Sequence, residues 1–425
     1  MKVGITPSSL HGVVVIPAGK SEAQRVVAVA LLCEGLTHVF NYPENDDSIA
    51  ALRCARSLGA EIMQRGNEWV ITGNPPQTAQ VLSEITVLDC GESGLSARIF
   101  SSVAALYSTL IELTGRNGLN ERPFKTLHEV FEQIGVEFSS NDGRLPLRIR
   151  GPMIPADVIL DGSVSSQFVS GLLIAMSALP ESRRIEVRGM QSFPYVKLTV
   201  EVLSHFGVEW SCDPSGVFLK QGGALTAAHI IVPGDWSSAA TMLVAAALCA
   251  SEGVVVEGVS MSSFHADRAV ISLLDAAGIP TYIKANGIEV RAGNPTAFDF
   301  DFSDCPDLVP IAIVLAASSN GVCTLYNTSR LRFKESDRGR VMQMELRKAG
   351  VVVSLSENSI LVNPARGMRA DFNAHGDHRI AMALTLFALA HRGGTIEGAE
   401  CVAKSYPNFF SDLVKLGSSL HFEGA

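Results

Sequence analysis

The sequence predicts an α/β protein of two domains, each made of three β-α-β-α-β-β repeats, and three observations carry that prediction. Six short polar clusters open apolar helical runs at intervals of roughly 70 residues, too long for common solenoid repeats. They are Lys20-Ser21, Glu92-Ser93-Gly94, Ser165-Ser166-Gln167, Asp235-Trp236-Ser237-Ser238, Asp304-Cys305-Pro306-Asp307 and Gly376-Asp377-His378-Arg379. In the same register, helical segments end at Leu58-Gly59, Ile134-Gly135, Phe206-Gly207, Ala277-Gly278, Ala349-Gly350 and Leu416-Gly417. Glycine just past a helix end supplies the left-handed residue that satisfies the last carbonyls. Third, each opening leads into a small-residue apolar run such as Ala239–Ala250, then a β-like stretch such as Val254–Glu257.

Residue by residue, the third unit shows the order. Ser166 opens a helix to about Ser177, Arg184–Val187 is strand-like, and Tyr195–Phe206 has helical periodicity ending at Gly207. Short strands follow around Val208–Ser211 and Gly216–Lys220, with Asp213-Pro214-Ser215-Gly216 as the turn. The other five units fit the same order. No Pro/Ser-rich linker divides the chain, so the candidate crossings are Ile16-Pro17-Ala18-Gly19 and Val232-Pro233-Gly234. They group residues 19–232 into one domain of three repeats. Residues 1–18 with 233–425 form the other, discontinuous one. Two crossings between two bodies make a natural hinge.

Composition narrows the function classes. With 47% hydrophobic and 18% charged residues, the chain suits a packed enzyme better than a disordered protein. A net charge of −9 argues against a nucleic-acid-binding face. Eight cysteines show no CxxC pair, which predicts reduced core thiols and no metal. The start lacks the apolar core of a signal peptide, and no apolar run approaches the ~20 residues of a membrane span. The expectation is a soluble cytoplasmic protein.

An acidic chain that gathers Lys and Arg at its repeat openings is suited to binding small anions, because helix N-termini favour negative charge. The candidates are Lys20, Arg25, Arg98, Arg122, Arg332, Lys334, Arg338, Arg379 and Lys404. A lone Lys or Arg is more often a solvated surface residue. Lys20, Arg338 and Arg379 stand out because each sits at or near a repeat opening or an acid-containing cluster. Ala18-Gly19-Lys20-Ser21 ends like a phosphate-binding P-loop, but that pattern needs glycine where Val14 stands. The acid/base candidates are Asp307, Glu335, Asp337 and His378. Asp307 is either a helix N-cap, the commoner role, or a functional carboxylate. The bland reading of Glu335 is first-turn capping with an i,i+3 partner.

Several stretches then match a known pattern in the right order. Asp161-Gly162-Ser163-Val164-Ser165-Ser166-Gln167-Phe168 is the most specific. Glu121-Arg122-Pro123, Lys334-Glu335-Ser336-Asp337-Arg338, Asp377-His378-Arg379-Ile380-Ala381-Met382 and Ala403-Lys404-Ser405-Tyr406-Pro407 support it. From about Val13 to Phe410 the chain resembles the enolpyruvyl transferases, most closely those that act on shikimate 3-phosphate. The resemblance implies a two-domain inside-out α/β barrel with the active site in the cleft between domains. It implies transfer of the enolpyruvyl group of phosphoenolpyruvate to the 5-hydroxyl of shikimate 3-phosphate, with phosphate released, no metal or organic cofactor, and a monomer. Shikimate 3-phosphate would contact Ser21, Arg25, Ser165, Ser166, Gln167, Ser192, Tyr195, Asp307 and Lys334. Phosphoenolpyruvate would be held by Lys20, Gly94, Arg122, Arg338, Arg379 and Lys404. By the same resemblance, Asp307 takes the hydroxyl proton, with Lys20 assisting, and Glu335 protonates the methylene carbon.

Three positions depart from the family pattern. Ala18-Gly19 stands where Gly-Ser is common, Glu92-Ser93-Gly94-Leu95 where Asn-Ala-Gly-Thr is common, and Arg330 where Asn is common. Glu92 needs a neutralising partner beside a phosphate pocket, with Arg98 or Lys20 as candidates. Glu92 and Leu95 leave sensitivity to glyphosate, the family inhibitor, undecided, while Gly94 by itself favours an open pocket and so sensitivity. The alternatives are a UDP-N-acetylglucosamine enolpyruvyl transferase and a catalytically inactive anion-binding relative. Lys20-Ser21 and the absence of cysteine from Leu113–Arg122 disfavour the first. The joint presence of Lys20, Asp307, Glu335, Arg338, Arg379 and Lys404 disfavours the second.

Overall fold

Every one of the six openings starts a helix in the computed structural model, which describes residues 1–77, 83–180, 183–213 and 215–423. The helices are Lys20–Leu31, Gly94–Ala104, Ser166–Ser177, Trp236–Cys249, Val309–Ala317 (after the 3-10 turn Pro306–Leu308) and His378–Ala390. The six glycines past the second helices, Gly59, Gly135, Gly207, Gly278, Gly350 and Gly417, all take positive φ, from +67° to +99°. A side chain there would strain the backbone, which is why this marker could be read from sequence.

The contacts divide the chain into two compact units, Ala18–Pro233, and Met1–Pro17 with Gly234–Ala425. In Ala18–Pro233 the three opening helices pack on one another, and three four-stranded sheets lie outside them. Helix Ser166–Ser177 passes close to Gly94–Ala104 at Gly171, where a β-carbon would sit 2.6 Å from the Arg98 carbonyl. Nearly every residue of these helices is buried, as expected of helices apolar all round. The discontinuous unit repeats the plan around Trp236–Cys249, Val309–Ala317 and His378–Ala390. In the third repeat, strands Val158–Asp161, Arg184–Arg188, Val217–Gly222 and Glu209–Cys212 form one sheet in that order. The first pair is parallel and the others antiparallel. Of its turn, Ser215 N–H donates to Asp213 Oδ1 at 2.7 Å, while Pro214 lies outside the described residues.

Chain order and sheet order part company at the crossings. The first-repeat sheet takes its outer parallel strand from His229–Ile231, beside Leu36–Phe40. Gly12–Val15 supplies the matching strand beside Val254–Glu257 in the fourth. Lys2–Thr6 completes the sixth sheet between Gly394–Glu397 and Ser419–Glu423. Thus each unit is closed by strands distant in sequence.

Candidate active site

In the unit Ala18–Pro233, the openings of the first three repeats hold a polar network. Lys20 begins its helix without a side-chain cap, since Gly19 is the N-cap residue. Its Nζ donates to Asp47 Oδ2 at 2.8 Å, and both groups are mostly buried. Asp47 stands in the first turn of Asp46–Ser57, where helix N–H groups favour a carboxylate. The Gln24 carboxamide oxygen accepts from Ser93 Oγ and Ser96 Oγ at 2.7 and 2.8 Å, tying the first opening to the second.

The second opening is shaped around an arginine. Ser93 caps Gly94–Ala104 by accepting from Ser96 N–H. A β-carbon on Gly94 would lie 2.1 Å from Arg122 Nη1 and 3.2 Å from Arg98 Nη1. Glycine is therefore what lets the buried Arg122 reach the helix N-terminus, an arrangement suited to an anion. Arg98 stacks between Phe124 and Phe168, 5.4 and 5.2 Å from their ring centres, and donates to Gln167 Oε1 at 2.7 Å. Gly94→Ala should push Arg122 aside while the fold persists, because the clash is with the tip of one side chain. Steady-state kinetics should show the Michaelis constant for an anionic substrate raised by about tenfold, the cost of ~1.4 kcal/mol of lost binding, with an unchanged melting temperature.

Arg25 proves to be an organiser of this unit. It is almost wholly buried, and its guanidinium donates to Thr199 Oγ1, Ser170 Oγ and the carbonyls of Ser21 and Tyr195. Burial lowers its pKa to about 10, with Glu22 acting in the opposite sense, so it stays charged at neutral pH. Ser165 caps Ser166–Ser177 through Gln167 N–H. Ser192, with φ +51°, is the N-cap residue of Phe193–His205. Ser21, Ser165, Ser166 and Gln167 thus belong to the repeat openings of this unit, and Ser192 and Tyr195 to the start of helix Phe193–His205.

Glu92 accepts from Asn117 Nδ2 at 2.6 Å, and the Lys20 ammonium goes to Asp47 instead. The contact joins the second opening to the turn Asn117–Glu121 that leads into Arg122.

In the discontinuous unit, three cations meet four carboxylates. Asp307 is not a helix cap: the N-cap residue of Val309–Ala317 is Leu308, with no side-chain capping bond. The commoner reading of Asp307 is corrected here. Its carboxylate instead receives Arg338 Nη1 at 2.7 Å, Lys334 Nζ at 3.0 Å and Arg379 Nη2 at 3.2 Å. Burial pushes its pKa up, but Arg379, Lys334 and Arg338 outweigh it and hold the group well below the usual carboxylate range. Glu335 does pair with Arg338, at 2.6 Å, but it precedes the helix; the cap is Asp337, which accepts from Arg340 N–H.

Arg338, 1% exposed, also donates to Asp377 from Nε at 2.9 Å and Nη2 at 3.3 Å. Burial opposes its charge, yet Asp377, Glu335 and Asp307 raise its pKa above the ordinary arginine value. Burial lowers that of Lys334, with Asp307 resisting. Arg379 donates to Asp267 Oδ2, Ser237 Oγ and the Asp307 carbonyl at 3.3, 2.9 and 3.1 Å. His378 is buried beside Asp377. Lys404 is buried at the end of Ala399–Lys404, a turn packed on the His378–Ala390 helix. Arg330 donates to the Ser303 carbonyl.

Asp47, Asp267 and Asp377 are the partners that sequence reasoning did not single out as site residues. Asp47 had a signal, the helix-opening run Asn45-Asp46-Asp47-Ser48. Asp267 had none: it meets Arg379 across 112 residues of chain.

The fold, two units of three repeats, is one shared with solved enolpyruvyl transferases. The enolpyruvyl transferase NikO from Streptomyces tendae shares the fold over 99% of this chain and 98% of its own (TM-score 0.79, 17% identity). The EPSP synthase of Acinetobacter baumannii superposes over 99% of both chains with a TM-score of 0.83 at 25% identity. The model of the EPSP synthase (3-phosphoshikimate 1-carboxyvinyltransferase) family matches residues 5–413, and the chain belongs to that family. It is 34% identical to the 3-phosphoshikimate 1-carboxyvinyltransferase of Clostridium kluyveri over 98% of each chain. It is 33% identical to that of Methanocorpusculum labreanum over the whole of both.

Proposed function

We propose that this protein transfers the enolpyruvyl group of phosphoenolpyruvate to the 5-hydroxyl of shikimate 3-phosphate, releasing phosphate. The observation that carries the reading is the carboxylate of Asp307 held by Arg338, Lys334 and Arg379. Family membership supports this acceptor over UDP-N-acetylglucosamine. The chemistry needs one group to take a proton from the attacking hydroxyl and another to give one to the methylene carbon. It also needs fixed cations where a phosphate and a carboxylate lie.

In this proposal both basic sets serve one pair of substrates. Lys20, Gly94, Arg122, Arg338, Arg379 and Lys404 hold phosphoenolpyruvate. Ser21, Arg25, Ser165, Ser166, Gln167, Ser192, Tyr195, Asp307 and Lys334 position the acceptor. Arg338 and Arg379 pair with Asp307, Glu335, Asp377 and Asp267. The anionic groups of phosphoenolpyruvate compete for the same guanidinium forks. As they engage, the charges that depress Asp307 are offset, its basicity rises, and it becomes fit to accept the 5-hydroxyl proton with Lys20 assisting. Glu335, protonated once Arg338 no longer holds it, gives that proton to the methylene carbon as the 5-oxygen attacks, and takes one back from the resulting methyl group as phosphate leaves.

Glu335→Gln should then slow exchange of the methylene protons with heavy water by about 100-fold or more. Unchanged exchange, followed by proton NMR, would remove Glu335 from that role. The whole reading is tested by incubating the protein with phosphoenolpyruvate and shikimate 3-phosphate and identifying the product by mass and NMR. An enolpyruvyl ether at the 5-oxygen, with phosphate in equal amount, is expected; an adduct elsewhere, or none, refutes it.

We further propose a monomer of the cytoplasm that acts on small anions and not on nucleic acid. The net charge of −9 supports the last point. Eight free cysteines fit a reducing compartment. Among the described residues no helix is long and apolar enough to cross a membrane.

A further inference from the structure

We propose that Glu345 is a positioning residue for the reaction: it fixes the turn 373–376 and thereby places Asp377, the partner of Arg338 and the cap of the helix that carries Arg379. The proposal rests on the enolpyruvyl-transfer reading above. Glu345 stands seven residues after Arg338 on helix Arg338–Lys348, two turns on and hence on the same face. That helix packs on strand Ala370–Asn373, and the segment after the strand is held at two points, by Glu345 and by Arg338.

At the first point, the buried Glu345 carboxylate accepts from Asn373 N–H at 2.9 Å and meets His375 Nε2 at 2.8 Å and Lys348 Nζ at 2.7 Å. At the second, Asp377 accepts from Arg338, from Ser336 Oγ at 3.0 Å and from Arg379 N–H at 3.0 Å. Between them the backbone takes two successive left-handed residues, His375 at φ +51° and Gly376 at +67°. A non-glycine residue is strained in that region, so the turn persists only where its surroundings impose it. Asn373 Oδ1, which accepts from His375 N–H at 2.7 Å, and Glu345 on the ring of His375 are what impose it here.

The choice of residue also points to a positioning role. A buried carboxylate is costly unless fully hydrogen-bonded, and an apolar residue would serve simple packing of helix on strand. Burial raises the Glu345 pKa, but His375, Lys348 and the Asn373 N–H outweigh it and keep the group charged. The arrangement spends a buried charge on holding a strained turn whose next residue orients two arginines.

The test is steady-state kinetics on the full chain, with each substrate varied separately, for wild type, Glu345→Gln, His375→Asn, the double variant and Lys348→Met. Asparagine tolerates the left-handed conformation, so His375→Asn removes the ring without new strain. Glu345→Gln and His375→Asn should each raise the Michaelis constant for phosphoenolpyruvate by about fivefold or more, leaving that for shikimate 3-phosphate within about twofold. The double variant should be no worse than the worse single, and Lys348→Met, which leaves the Asn373 and His375 contacts of Glu345 in place, should be milder than either single. A lowered melting temperature with both constants unchanged would overturn the proposal, as would additive effects or equal changes in both constants. If Glu345→Gln does not fold, His375→Asn decides alone by the same split. No activity in wild type would refute the enolpyruvyl-transfer reading instead.

Discussion

Asp307→Asn should lower kcat by about 100- to 10,000-fold, the contribution typical of a positioned acid or base, while phosphoenolpyruvate binds no more weakly than to wild type. The second half of that outcome is the more telling. Asp307 pairs with three cations, and an amide releases much of that hold. A base competes with the ligand for its cations, whereas a residue that merely built the pocket would take binding down with it. The pH dependence has a definite sign. The folded-state pKa lies below the ordinary 3.8, so the stabilisation from ionised Asp307 is complete above 3.8 and is lost as pH falls through the depressed value. Wild type should therefore lose melting temperature in that acid range by a margin that Asp307→Asn does not show. Parallel acid curves for the two proteins would contradict this account of the carboxylate.

Arg338→Met should be the most damaging single change in the discontinuous unit. The side chain is 1% exposed and neutralises Asp307, Glu335 and Asp377 together. Removing one partner of a buried pair costs about 3–5 kcal/mol, because an uncompensated charge remains. Calorimetry should show a melting temperature reduced by several degrees and titration should show no detectable binding of phosphoenolpyruvate. Arg338→Lys should recover part of the stability and little of the binding, since an ammonium cannot reproduce the fork that spans three carboxylates. Full binding by Arg338→Lys would mean that charge alone, and not the fork, matters at this position.

The parts of the fold legible in the sequence are those written in local chemistry. Lys20-Ser21, Glu92-Ser93-Gly94 and Asp377-His378-Arg379 open helices because small, polar or charged residues suit a helix start. Gly59 and Gly278 close helices because few other residues adopt positive φ at low cost. What chain order hid was the exchange of strands. Nothing in Gly12–Val15 or His229–Ile231 states that the first pairs with Val254–Glu257 and the second with Leu36–Phe40. Parallel partners are chosen by tertiary closure, and periodicity is silent on it.

The same division runs through the site. Arg338 and Arg379 stood out because charge at a helix opening has a local reason. Their anchors did not, since Asp267 and Asp377 lie 112 and 39 residues from the arginines they hold. Local reasoning favoured an N-cap for Asp307, and the packing of three cations overrode it. Of the two cations that charge balance offered Glu92, Lys20 goes to Asp47, and Glu92 accepts from the Asn117 amide.

The most direct test of the central claim is phosphate release by the purified protein supplied with phosphoenolpyruvate and shikimate 3-phosphate, with UDP-N-acetylglucosamine as the parallel acceptor. Release with shikimate 3-phosphate and none with the nucleotide sugar is the predicted result. Release with the nucleotide sugar, or no release from folded protein with either acceptor, would contradict it.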